Sequence, residues 1–160
     1  MDIKNKIKID SFEIHKMSKI DRDAVLKIAL KAHLNHKVTS IQSPTIFFEK
    51  IGKTIDNNIK NSFVFKTSDG TVFGAVIVKE VTNVSAYVVT SYFDYNYKLT
   101  QDMLLAFRDQ LKKTKFNEFY TKILKSRKSS DKYFKLMKMY GFIEIVEENE
   151  VFWKLRYKNT

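Results

Sequence analysis

The chain has no cysteine, one proline and four glycines in 160 residues. Without thiols, neither a disulfide nor a thiolate metal site can form, which fits a reducing compartment. With glycine and proline this scarce, no Pro/Gly/Ser linker breaks the chain, and residues 1–160 read as a single domain. Arginine is also rare. Only four of the 29 basic residues are Arg, whereas a dedicated nucleic-acid reader prefers its fork for phosphate and guanine. No run approaches the ~20 apolar residues of a membrane span. Met1 to Lys8 is charged and lacks the apolar stretch of about 7–15 residues that a signal peptide carries. The expectation is a soluble protein without membrane contact, located in the cytoplasm or, for a viral protein, in the host cytoplasm or the virion.

What is present suits a packed fold. The composition is 44% apolar and 14% aromatic, with thirteen Phe and eight Tyr to build a core. A domain of this size buries roughly 70% of the surface its unfolded chain exposes. The net charge of +11 marks a basic protein and invites a polyanion partner. Lys, Asn, Ile, Phe and Tyr are the residues AT-rich coding DNA favours, so genome bias explains the same charge.

Periodicity orders the elements. Ser11 to His15 reads as a strand. Asp21 opens a helix ending near Asn35, with Ala24, Val25, Leu26, Ile28 and Ala32 on its apolar face. Ser43-Pro44 caps and starts a second helix, lined by Ile46, Phe47, Ile51, Ile55 and Ile59. Ser62 to Lys66 and Thr71 to Lys79 flank Ser68-Asp69-Gly70 as a hairpin. Val84 to Tyr92 is a third β-rich run. Leu99 to Leu111 is helical, with Leu99, Met103, Leu104, Phe107 and Leu111 on one face. Glu118 to Leu124 alternates as a strand. Ser130 to Tyr140 is a helix stopped by Gly141, and Phe142 to Val146 with Val151 to Tyr157 closes the chain as a strand pair. Helices interleaved with hairpins and crossovers imply an α/β domain with a mixed, mostly antiparallel sheet flanked by helices.

This order, from about Phe12 to Tyr157, resembles the GNAT superfamily of acyl-CoA N-acyltransferases. Ser130 through Phe142 resembles the family's late helix, which runs through an aromatic to a terminal Gly-Phe. The resemblance implies an acetyl-CoA site between the fourth strand and third helix, where a Gln/Arg-x-x-Gly-x-Gly/Ala loop cradles pyrophosphate with backbone N–H groups. That loop falls on Asn96, Tyr97, Lys98, Leu99, Thr100 and Gln101. Asn96 replaces Gln or Arg, Leu99 the first glycine and Gln101 the second small residue. The family's late-helix general acid, a Tyr, falls on Met137, which has no proton to donate. Val84 to Tyr92 offers no carboxylate for the family's general base, Glu118 lies at a strand's start, and Asp94 is the remaining candidate.

Three functions follow. The first is a non-catalytic, structural or interaction component, with a phage particle as the analogous setting, no cofactor expected and no catalytic residue assigned. Tyr92, Phe93, Tyr95 and Tyr97 crowd the loop where phosphate would sit, and Tyr95 and Tyr97 are the expected contact with a protein partner or second copy. The second is an N-acyltransferase using acetyl-CoA through a divergent loop on Asn96–Gln101. The third is a weak nucleic-acid-binding module in which Lys128, Lys132 and Lys135 share one face of the last helix; a solvated lysine face is its plainer reading. His33 and His36 lack an acid at ligand spacing, so no metal site is expected.

Overall fold

The computed structural model describes residues 6–35, 43–126, 130–139 and 141–159. Its strands are β1 (Phe12–Lys16), β2 (Phe63–Thr67), β3 (Val72–Glu80), β4 (Ser85–Phe93), β5 (Glu118–Leu124), β6 (Glu144–Glu148) and β7 (Phe152–Lys158). Its helices are α1 (Arg22–Asn35), α2 (Pro44–Asn58), α3 (Gln101–Lys112) and α4 (Ser130–Met139), with short 3-10 turns before α1 and after α2. The seven strands form one sheet in the order β1-β2-β3-β4-β5-β7-β6. Every neighbouring pair is antiparallel except β4 and β5.

The local signals act as chemistry dictates. Ser43 Oγ accepts the Ile46 N–H at 3.2 Å, and Pro44 begins α2 where no intrahelical donor is needed. Thr100 Oγ1 accepts the Met103 N–H at 3.4 Å and starts α3 at Gln101. The expected helix from Leu99 is thus corrected: Leu99 precedes the cap and stays 40% exposed, while Met103 and Leu111 carry the buried face. Gly141 has φ +104°, and the Gly141 and Phe142 N–H groups reach back to the Lys138 and Met137 carbonyls, closing α4 as a Schellman motif. That turn carries the chain past Phe142, so β6 starts at Glu144, two residues later than the alternation suggested.

Helices cover the sheet unequally. α1 and α2 pack Val25, Leu26, Ala29, Ile51 and Ile55 onto Val64, Ala75 and Ile77. On the opposite face Met103, Leu111 and Phe116 join Phe65, Phe73, Val76, Phe119, Ile123 and Leu155. Strands β2 and β3, covered on both sides, are buried almost without alternation. In β5, Phe119, Thr121 and Ile123 are buried while Glu118, Tyr120, Lys122 and Leu124 are not. Asp21 is buried at the start of α1, accepting from the Ser18 N–H at 2.9 Å and facing Lys66 Nζ at 3.1 Å. Burial alone would raise its carboxyl pKa, but the Ser18 N–H and then Lys66 hold it below its ordinary value.

Candidate functional site

The parallel seam between β4 and β5 is the most distinctive site geometry. Its register runs only from Ser85↔Glu118 to Val88↔Thr121. Beyond that rung, β4 continues to Phe93 and β5 to Leu124 with no further pairing between them, so the strands part. On its other side β4 pairs Val88 with Val78 and Thr90 with Ile77, leaving Val89 as a bulge at the point of parting. β2 begins opposite Val76, so the Val78 N–H lies beyond it and is taken by the buried Ser62 hydroxyl at 3.0 Å.

Two hydroxyls occupy the fork. Thr121 Oγ1 donates to the Val88 carbonyl at 3.3 Å. Burial pushes the pKa of the Tyr87 hydroxyl up to about 12, against a smaller lowering by the Lys122 backbone N–H. Tyr87 is therefore a neutral phenol at any physiological pH. Among the described residues no group of His, Asp or Glu is arranged to hold a metal.

The loop from Asp94 to Thr100 lies at the end of β4. The Asp94 N–H bonds the Phe73 carbonyl at 2.8 Å. Asp94 then turns the loop on itself: its carboxylate accepts the Asn96 N–H at 3.0 Å and its carbonyl the Tyr97 N–H at 3.0 Å. The chain ahead of β1 straps the loop from outside. Ile7 donates to the Asn96 carbonyl at 2.7 Å and accepts the Lys98 N–H at 2.8 Å, forming a bridge with Tyr97. Asp94, the remaining candidate base, is committed to this turn.

The side chains of the loop divide. Tyr97 is half-buried, its ring 5.5 Å from that of Phe73, whereas Tyr95 is 40% exposed. Asn96, Lys98 and Gln101 are exposed and Thr100 half-buried. The crevice among Phe73, Phe93, Asp94, Tyr97, Lys98 and Leu99 has no room for a water molecule. A larger polar hollow of about 470 Å³ lies on the other side of the sheet, between Asn57, Asn61, Lys79 and the bulge residue Val89.

Met137, where an acyltransferase of this layout has its proton donor, packs on the core. Lys128 and His36 lie outside the described residues, as do the side chains of Lys132 and His33; Lys135 is exposed on α4. What sequence reasoning missed is the fork. Tyr87 and Thr121 look like ordinary strand residues until pairing shows where the seam ends.

No family model matches the chain, and no curated protein matches it. Solved structures do. The PaiA N-acetyltransferase of Thermoplasma acidophilum, in complex with coenzyme A, superposes with a TM-score of 0.70 at 18% identity, over 92% of this chain and 99% of that one. Ard1 of Thermoplasma volcanium gives 0.67 at 14% identity, over 93% and 98%. A GNAT-family acetyltransferase of Bacillus cereus gives 0.65 at 15% identity, over 94% and 99%. The chain therefore has the GNAT N-acyltransferase fold. Its loop does not fit acyl-CoA in the way a glycine loop does: Leu99 carries a side chain where close approach is needed, and the Lys98 N–H is already bonded.

Proposed function

We propose that this chain uses the GNAT fold for contact and not for acyl transfer, as a structural or interaction protein. The observation that carries this reading is the closed β4–α3 loop. The N–H groups of Asn96, Tyr97 and Lys98, which a phosphate cradle needs free, all donate to oxygens of the chain itself. Met137 and the turn-bound Asp94 leave the fork without an acid–base pair of the usual kind. Tyr95, exposed at the tip of that loop, is the residue offered to a partner protein or second copy. A particle of a virus with an AT-rich genome is the setting that the composition fits.

Thermal melting with millimolar acetyl-CoA tests it. A ligand at a hundred times its dissociation constant adds about 2.7 kcal/mol, which shifts the midpoint of a domain this size by several degrees. No shift is expected. A clear shift competed away by CoA would sink the contact reading.

That outcome would favour a second reading, an N-acyltransferase acting on a small amine, a protein N-terminus or a lysine. It is motivated by the N-terminus of α3, where the Leu99, Thr100, Gln101 and Asp102 N–H groups have no partner among the described residues. A helix start with free donors attracts an anion. The coenzyme A held by the PaiA structure supports the same alternative.

A further inference from the structure

Among the described residues no helix covers the face of β5 and β7 turned away from α3 and α4, because α1 and α2 pack on the β2–β4 half of the sheet. Its side chains are cross-strand neighbours: Tyr120 beside Arg156, Lys122 beside Lys154, and Leu124 beside Phe152. Tyr87 extends the row onto β4, opposite Tyr120.

Lys122 and Lys154 are the anomaly. Two like charges directly opposite across a ladder destabilise a sheet, since their Cβ atoms lie only about 5 Å apart. Neither lysine has an ion pair among the described residues. Each instead bends diagonally over a ring, Lys122 to 4.7 Å from the Phe152 centroid and Lys154 to 5.1 Å from that of Tyr120. Arg156 on the same face is neutralised by Glu144 and Glu118. Glu147, the β6 neighbour of Lys154, is exposed and makes no ion pair with it. An opposed lysine pair parked on aromatics, with Lys158 farther along the same face, is complementary to a flexible polyanion that also has flat rings.

We infer that this half-sheet is a binding surface for single-stranded nucleic acid, with backbone phosphates between Lys122, Lys154 and Lys158 and bases stacked on Tyr120 and Phe152. Phosphate between the opposed lysines relieves their repulsion, and each base displaces a parked ammonium from its ring. A duplex presents neither free bases nor a backbone flexible enough to follow the strand row. The surface is separate from the β4–α3 loop, so this inference stands or falls independently of acetyl-CoA binding.

The test is fluorescence anisotropy of a labelled fifteen-nucleotide oligothymidylate with the full chain, from 50 to 200 mM salt. Three phosphates neutralised on a single strand give a log–log slope of about −2, an affinity loss of about twentyfold across that range. The Lys122→Gln, Lys154→Gln variant should retain its melting point or raise it, bind at least about tenfold more weakly, and lose about 1.4 of the slope. The Tyr120→Leu, Phe152→Leu variant should lose at least about fivefold in affinity with the slope unchanged, because stacking carries no counterion. Replacing Lys132 and Lys135 on α4 with Gln should change affinity less than threefold. Absence of binding at 50 mM salt overturns the inference. So does an α4 variant that loses more than the sheet variant, equal affinity for duplex, or a leucine variant that binds as the wild type does.

Discussion

The two halves of the sheet obey different rules. From β1 to β4 the strands follow one another in sequence and space, and helices close both faces of β2 and β3. Across β5 and β7, α4 and the end of α3 cover one face and no described helix covers the other, while every residue of β6 at the far edge is exposed. In the first half, Phe73 to Val78 is buried residue after residue around Gly74, because α1 and α2 cover one face and α3 with the aromatic end of β4 and its loop covers the other. In the second, Phe119, Thr121 and Ile123 are buried and their neighbours stay in reach of solvent. Stability is concentrated where both faces are covered. Chemistry that could meet another molecule is concentrated where one is not.

The sharpest way to break that contrast is to delete one aromatic from each half. Phe65 is fully buried, with the rings of Phe12, Phe73, Phe93 and Phe107 within 6.4 Å centroid to centroid. Phe65→Ala should cost about 4 kcal/mol by denaturant unfolding. Phe152→Ala, on the open face, should cost about 1 kcal/mol. Equal losses would show that the second half is as tightly packed as the first.

Asp21 ranks next, because it anchors α1 to β2 through Lys66. Asp21→Asn should cost about 2 kcal/mol near neutral pH, the loss expected from removing one partner of a mostly buried, charge-assisted contact. The folded carboxyl titrates below its ordinary value of 3.8, so its stabilisation is complete above that pH and is lost as pH falls through the lower, folded value. The wild type should therefore lose stability below about pH 4, and the variant should show a flatter acid limb. Parallel acid limbs for the two proteins would remove Asp21 from the account.

The smallest effect is expected at the exposed tip of the loop. Tyr95→Ser should change the isolated domain by less than about 0.5 kcal/mol, as an exposed residue does. Tyr97→Ser should cost about 1–2 kcal/mol, because its ring packs on Phe73. Sedimentation velocity of Tyr95→Ser alongside the wild type then reads assembly separately from folding. A wild type that stays monomeric with every candidate partner would leave Tyr95 without a contact role.

Much of this fold was legible in the sequence, for identifiable reasons. The Ser43-Pro44 cap, the Gly141 stop and the alternation from Glu118 to Leu124 each placed an element to within a residue or two. These signals are local, and the chain within a few residues decides them. Leu99 was misread because apolar spacing continues past the helix start, whereas the Thr100 hydroxyl sets it. The fork, the Val89 bulge and the Tyr87–Lys122 contact depend on which strands pair and where pairing ends, and a linear pattern does not encode that directly. Tyr95 and Tyr97 show the same limit: two identical residues, two apart, with only the Ile7 strap and the Asp94 turn to decide which one faces inward.

The order of the outer strands carries a consequence for how the protein is made. β6 is synthesised before β7, yet β7 is the strand that lies against β5. During translation β5 therefore shows an open edge for as long as β7 is still being added. The β6–β7 hairpin must arrive with its later strand facing inward, after the first four strands have had time to pair with one another. Until β7 emerges, residues 118–124 offer an unpaired strand edge to any chaperone or second nascent chain nearby.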